Sequence, residues 1–233
     1  MNHAESTSRR AHLRALQSAA AKVTPDKLDY DALRSAAIDF GVPEQYAGYV
    51  RKDFKDRPAE HSMISHALTM LPADEVGVYG QSITANKIPD AAKVAAAVFN
   101  GAVVRGYCAT WVDFPEFAKM NQKRVAMSTE DGEWDRGRIM DWEIEMDSMN
   151  YSYDLVVLNA IHPKPATDFV DRELYSLLAN RMSRNLFTVV THQRPHTDRE
   201  RAAFLNRFAD SLVPHIDDYY LNHRIERISD AGK

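Results

Sequence analysis

The chain has 233 residues, 45% of them hydrophobic and 27% charged, which predicts one globular domain with an appendage or two small domains. Its net charge of -4 argues against a basic protein that coats nucleic acid, and no apolar run approaches the roughly 20 residues of a membrane span. Because the chain has no secretory signal pattern and only one cysteine, Cys108, which excludes an internal disulfide, we predict a cytoplasmic protein without a membrane partner.

Residues 1–50 are predicted to form a helical extension. Two apolar stripes recur there at helical spacing, and they consist of Leu13, Leu16 and Ala20, then of Tyr30, Leu33, Ala37 and Phe40. Two interpretations stay open. The helices pack as a cap on the main domain, or they form a separate module that binds a partner through Leu13, Leu16, Leu33 and Phe40.

A βαβ unit is predicted after a charged, proline-ended connection at residues 51–58. Residues 76–80 have the pattern of a short strand that ends in glycine, and residues 81–88 have that of a loop. A helix follows from Pro89, and residues 107–112 form the next predicted strand.

The second half of the chain continues this alternation. Residues 130–147 are strongly acidic but keep a helical apolar spacing, so we interpret them as an amphipathic helix with a solvated acidic face and not as a metal site. Residues 155–158 are all apolar, which is typical of a strand buried on both faces of a parallel sheet. Further strands are predicted at 187–191 and 218–222. The pattern therefore predicts an α/β fold, a three-layer sandwich with a mostly parallel five-stranded sheet.

Several stretches, in this order, are similar to one family. They are YCATWVDFPEF at 107–117, ELYSLLANR at 173–181 and TVVT at 188–191. Together with the order of the elements, they resemble the DnaC/IstB-like helicase-loader branch of the AAA+ P-loop ATPases. The resemblance implies an AAA+-like domain at residues 51–233 behind the extension at 1–50. It also implies a replicative helicase or another AAA+ protein as the partner.

The phosphate-binding loop of that family is degenerate here. A Walker A loop has the pattern G-x-x-x-x-G-K-[ST]. Aligned on Gly80, the sequence places Ala85, Asn86 and Lys87 at the second glycine, the lysine and the hydroxyl. A shift by one residue makes Lys87 the lysine, but it then places Asn86 at the glycine and Ile88 at the hydroxyl.

The acidic residues of the family are also missing. Asn159 and Ala160 stand at the Walker B acids, and Gln193 lies near the polar sensor 1 position. Phosphoryl transfer depends on the electrostatic stabilisation that these groups and Mg²⁺ supply. We therefore predict a pseudo-ATPase with no catalytic residue, no nucleotide cofactor and no metal.

Arginines are concentrated in the C-terminal third of the chain. The resemblance places Arg207 at the family's arginine-finger position, where it would act in trans on a neighbour's nucleotide in a homo-oligomer. Arg181, Arg184 and Arg194 belong to the same group. These side chains either follow a single-stranded DNA backbone or balance the acidic segment, and both interpretations stay open.

Three functional hypotheses follow, in order of preference. The first is a nucleotide-independent scaffold or loader that acts on a replicative DNA helicase, with a phage as one origin considered. The second is an inhibitor that binds or caps a host AAA+ ATPase or helicase assembly. The third is an active ATPase with divergent motifs.

Overall fold

The computed structural model describes residues 28–71, 80–85, 87–126, 133–161 and 167–193. The helices are α1 (Tyr30–Asp39), α2 (Pro58–Thr69), α3 (Ile88–Val104), α4 (Phe114–Ala126), α5 (Glu133–Tyr151) and α6 (Asp168–Met182). The strands are β1 (Gly80–Ala85), β2 (Ala109–Asp113), β3 (Leu155–Ile161) and β4 (Phe187–Gln193). A short 3-10 helix, Arg51–Phe54, precedes α2. None of the described helices combines the length and the apolar character needed to cross a membrane.

The strands form one parallel sheet in the order β1-β4-β3-β2. The central strands β3 and β4 pair with Leu158 opposite Val190. Parallel neighbours need crossover connections, and a helix lies in each connection between consecutive strands. The predicted α/β sandwich is confirmed with four strands among the described residues. The predicted strand at 218–222 lies outside them.

Two apolar cores cover the two faces of the sheet. Strand β3 supplies both, because its side chains alternate between the faces. Leu155 and Val157 join the core beneath α1, α2 and α3, whereas Val156 and Leu158 join the core beneath α4, α5 and α6. This double burial explains why four apolar residues stand in a row, as in other covered parallel sheets.

Residues 28–50 share the first of these cores. Leu33 is 1% exposed and Phe40 packs against the same cluster. The Asn100 side chain on α3 donates hydrogen bonds of 2.8 Å to the backbone oxygens of Ala47 and Tyr49. The predicted domain boundary at residue 50 therefore does not coincide with a break in packing.

The end of α1 also closes the outer edge of β2. The Trp111 amide donates to the Phe40 carbonyl oxygen at 3.0 Å. Gly41 follows at a φ of 95°, where a Cβ atom would lie 2.3 Å from the Trp111 oxygen. Glycine alone avoids that contact and adopts this φ without strain. The partner-binding role predicted for Leu33 and Phe40 is therefore corrected to intramolecular packing, while Leu13 and Leu16 lie outside the described residues.

Arg181 joins the amino-terminal ends of the central strands. Its side chain is fully buried, and it donates to the carbonyl oxygens of Met149, Tyr153, Asp154 and Phe187 and to the Thr188 hydroxyl. The guanidinium thereby connects α5, β3, α6 and β4. Because this side chain has no contact with solvent, the sequence interpretation that grouped Arg181 with arginines available to DNA is wrong.

Candidate functional site

The carboxyl end of the sheet is where ligands bind in open α/β folds. There Asn159 of β3 donates through its amide nitrogen to an Asp113 carboxylate oxygen at 2.7 Å. The Thr191 hydroxyl of β4 donates to the Asn159 amide oxygen at 2.6 Å. The Trp111 indole nitrogen adds a third donor, 3.1 Å from the same Asp113 oxygen. These bonds link β2, β3 and β4 in one chain, which we call the edge network: Trp111, Asp113, Asn159 and Thr191.

Asn159 has little capacity left for a ligand. Both the oxygen and the nitrogen of its amide have partners within the edge network, and the residue is buried. An amide supplies no negative charge, whereas Mg²⁺ prefers carboxylate oxygens. The position that the resemblance assigned to a Walker B acid therefore carries a side chain that links three strands.

Ala160 lies at a β-bulge or similar irregularity within strand β3. Its φ is 60°, and the pairing with β4 shifts between Leu158 and Ile161. The Thr191 hydroxyl oxygen accepts a hydrogen bond of 2.9 Å from the Ala160 backbone nitrogen. A methyl group here offers neither a metal ligand nor a base for water, and the left-handed backbone costs free energy in any residue other than glycine.

The connection between β1 and α3 differs from the predicted phosphate loop. Gly80 does not end a strand, because it pairs with Thr188 within β1, which continues to Ala85, whereas residues 76–79 of the predicted strand lie outside the described residues. The predicted loop 81–88 is wrong over residues 81–85, which form the rest of β1. The alternation of polar residues with Ile83 and Ala85 suits a strand that pairs with β4. The Walker A alignment that began at Gly80 is thereby corrected.

Only Asn86 and Lys87 separate β1 from α3. Asn86 lies outside the described residues, and Lys87 is the exposed N-cap of α3 without a side-chain capping bond. The sequence has no glycine between Gly80 and Gly101. A two-residue connection without glycine cannot wrap its backbone amides around a phosphate as a P-loop does.

Ser82 and His192 form a buried pair on the face of the sheet opposite the edge network. The Ser82 hydroxyl and the His192 Nε2 share a hydrogen bond of 2.7 Å between β1 and β4. Gln193, predicted near the sensor 1 position, is the last residue of β4, and its side chain lies outside the description. The sequence analysis did not identify Ser82, Asp113 or Thr191 as site residues. Asp113 and Thr191 are polar residues at the end of an apolar run, and that pattern could have indicated them.

Of the three arginines predicted to contact a neighbour's nucleotide or nucleic acid, only Arg184 lies in the part of the chain that the structure describes. Arg184 is exposed, and its guanidinium lies 4.3 Å from the centre of the Tyr151 ring. Arg194 and Arg207 lie outside the described residues. Within the described part of the chain no three His, Cys, Asp or Glu side chains are placed to hold a metal ion.

Tyr153 lies away from the edge network and contacts α5. Burial, and then the nearby Glu145 carboxylate, raises the pKa of the Tyr153 hydroxyl above its ordinary value. This hydroxyl donates to Glu145 at 3.4 Å. It therefore stays protonated in the physiological range and acts as a structural donor.

Comparison with solved structures identifies the fold. The chain is similar to the crystal structure of the DnaC helicase loader, with 10% sequence identity, a TM-score of 0.52, and coverage of 74% of this chain and 94% of that one. It is also similar to DnaI at 14% identity and a TM-score of 0.48, covering 82% and 87% of the two chains. A third similarity is to AMPPCP-bound DnaA from Aquifex aeolicus at 14% identity and a TM-score of 0.48, covering 70% and 48%.

No protein-family model and no curated protein matches the sequence. The similarity to the loader structure extends over nearly all of that structure. The chain therefore has the α/β fold of the DnaC helicase-loader structure, as the sequence resemblance implied.

Proposed function

We propose that this protein is a helicase-loader-like scaffold or loader that acts on a replicative helicase without hydrolysing ATP. One observation carries the proposal. At the position that the resemblance assigns to a Walker B acid, Asn159 bonds to Asp113 and Thr191. The edge that manages Mg²⁺ and water in an active enzyme of this fold is used here to connect strands.

The loss of hydrolysis follows from charge and geometry together. Mg²⁺, a phosphate-binding lysine and a placed water provide most of the transition-state stabilisation in phosphoryl transfer. In this chain Lys87 is the second residue of a two-residue connection and the N-cap position of α3, and Asn159 and Ala160 provide no carboxylate. Removing even one preorganised electrostatic group typically costs a factor of about 10²–10³ in rate. Without a carboxylate at Asn159 and Ala160 and without a phosphate-binding loop, we expect the chain not to hydrolyse ATP.

Partner binding does not require that cycle. Leu33, in the second apolar stripe, is buried in this chain's own core and is not available to a partner. The first stripe, Leu13 and Leu16, lies before residue 28. We assign the helicase contact to this first stripe. A helix that docks through apolar residues at helical spacing needs no nucleotide.

The test is capture of a purified replicative helicase by the full-length chain, with and without ATP and Mg²⁺. We expect capture to be equal in both conditions and to be lost in the Leu13→Ser/Leu16→Ser variant. Lys87→Ala is the matched control and should capture normally. Capture that requires ATP, or that Lys87→Ala abolishes, would contradict the proposal.

A helicase loading assay then separates the two leading hypotheses. A scaffold or loader increases the fraction of helicase on single-stranded DNA, whereas an inhibitor that caps the assembly decreases it. Binding of single-stranded DNA by Arg184, Arg194 and Arg207 stays a prediction. The same assay tests it when alanine is placed at these positions one at a time.

A further inference from the structure

Helix α5 has two apolar sides, and only one of them faces the core. Trp142, Met146 and Met149 are buried between α5 and its neighbours. The Trp142 ring packs edge-on against Phe117 of α4, with 6.0 Å between ring centres. This contact explains the inward side fully, so the apolar residues on the other side need a separate reason.

On the outward side Met140 is 62% exposed and Ile144 is 47% exposed. These residues are four apart, so their side chains lie together on one turn of the helix surface. Gly137, one turn earlier, has no atom within 4 Å of the place where a Cβ would be. The stripe is therefore open at that end and accessible to another backbone.

Acidic side chains border this stripe. Asp141 lies on one side of it, and Glu143 and Asp147 lie on the other, all of them exposed. Glu145 does not belong to this border, because it turns inward to Thr110 and Tyr153. We call Met140, Ile144 and these three carboxylates the α5 stripe.

We propose that the α5 stripe docks a basic amphipathic helix of a partner protein. Apolar residues at helical spacing fit Met140 and Ile144, and flanking lysines or arginines pair with the acidic border. The same charges disfavour two other occupants, a second copy of this chain and nucleic acid. A second copy of this face would bring acidic borders together in a two-fold contact, and nucleic acid would bring phosphates against carboxylates.

This surface is separate from the edge network, whose bonds carry the proposed function. The inward residues of α5 belong to the core under α4, α5 and α6, whereas Trp111 of the edge network belongs to the core on the other face of the sheet. One helix face is a small contact, so we expect a micromolar affinity rather than a permanent complex.

The experiment uses the full chain and two fluorescent synthetic peptides. Both are helical with leucine at i, i+3, i+4 and i+7. One carries lysine on the flanking positions and the other carries glutamate there. Anisotropy titration should give saturable binding of the lysine peptide alone. Its affinity should fall several-fold when NaCl rises from about 50 mM to about 300 mM.

Two variants of the protein locate the site, and a third variant serves as the control. Met140→Ser/Ile144→Ser should weaken binding about tenfold or more. Asp141→Asn/Glu143→Gln/Asp147→Asn should weaken it and remove most of the salt dependence. Ile38→Ser on α1 is the matched control, because Ile38 is a similarly exposed helical isoleucine (40%), and it should bind normally. Melting temperatures within a few degrees of the parent protein verify folding.

Equal binding by the Met140→Ser/Ile144→Ser variant, or equal binding of the glutamate peptide, would overturn the proposal. So would a concentration-dependent dimer in analytical ultracentrifugation that this variant abolishes, since the occupant would then be a second copy.

Discussion

Replacing Asn159 with aspartate tests whether the edge network is closed. In the native protein the Asn159 amide nitrogen donates to the Asp113 carboxylate at 2.7 Å. In Asn159→Asp this donor becomes an oxygen, so two carboxylates face each other at the same separation. The variant also places an acid at the Walker B position, which makes it the most direct attempt to create a metal ligand there by substitution.

Two effects determine how much stability Asn159→Asp loses. A hydrogen bond to a charged group contributes about 1.5–3 kcal/mol. Two unit charges at the native separation repel by about 6 kcal/mol at an effective dielectric constant of about 20. The pair lowers this repulsion by sharing a proton or by moving into water, since Asp113 is only partly buried. We therefore expect the free energy of unfolding to fall by about 3 kcal/mol at about pH 8.

The shared proton also gives the variant a pH dependence. One of the two carboxyl groups has a folded-state pKa above its unfolded value of about 3.9. Stability linked to a raised pKa is present at low pH and is lost as the pH rises through the folded-state pKa. The destabilisation should therefore be smaller at about pH 5 than at about pH 8. Asn159→Ala loses the same hydrogen bond without adding a charge, so its loss should be similar at both values.

Urea unfolding of the parent protein and both variants at the two pH values measures these differences. Phosphate release with ATP and Mg²⁺ should stay at background for all three proteins. An aspartate variant that is as stable as the parent protein near pH 8, or one that hydrolyses ATP, would refute the reasoning.

Three further predictions concern single positions. Arg181→Met should lower the free energy of unfolding by about 3–5 kcal/mol in urea titrations, because it leaves buried carbonyl oxygens without a donor; a loss below about 1 kcal/mol would contradict this role. Ala160→Gly should raise the free energy of unfolding by about 1 kcal/mol in the same assay, because it removes left-handed strain; a destabilised variant would show that no strain is stored there. Lys87→Ala should leave the heat of mixing with ATP and Mg²⁺ unchanged in calorimetry, because neither protein should bind; micromolar binding lost in the variant would show that this lysine holds phosphate.

The layers of the fold could be predicted because their signals are local. The apolar run at 155–158 identified a strand buried on both faces, and the alternation of strands with helices identified a parallel sheet. The carboxyl end of strand β1 was predicted at Gly80 because glycine usually marks the end of an element. The strand instead continues through Gly80 to Ala85, and the polar residues Gln81 and Ser82 are buried in it.

The candidate site could be predicted only as an absence. Asn159 and Ala160 stand where the resemblance places the acids, but the partners of Asn159 are 46 and 32 residues away in sequence. No local pattern gives such a pairing. The apolar stripe of α1 was ambiguous for a related reason, since the same periodicity serves a partner's groove and the chain's own core.

The short connection between β1 and α3 bears on how this protein can evolve. Substitutions can restore a lysine, a hydroxyl or an acid one at a time, and each is a single step. They cannot lengthen a connection that holds only Asn86 and Lys87 between a strand and a helix. Reaching a phosphate-binding loop from this chain requires inserted residues together with several substitutions, and none of these changes is useful alone. On the proposal that this protein does not hydrolyse ATP, selection is therefore expected to refine its surfaces and not to build a phosphate-binding loop.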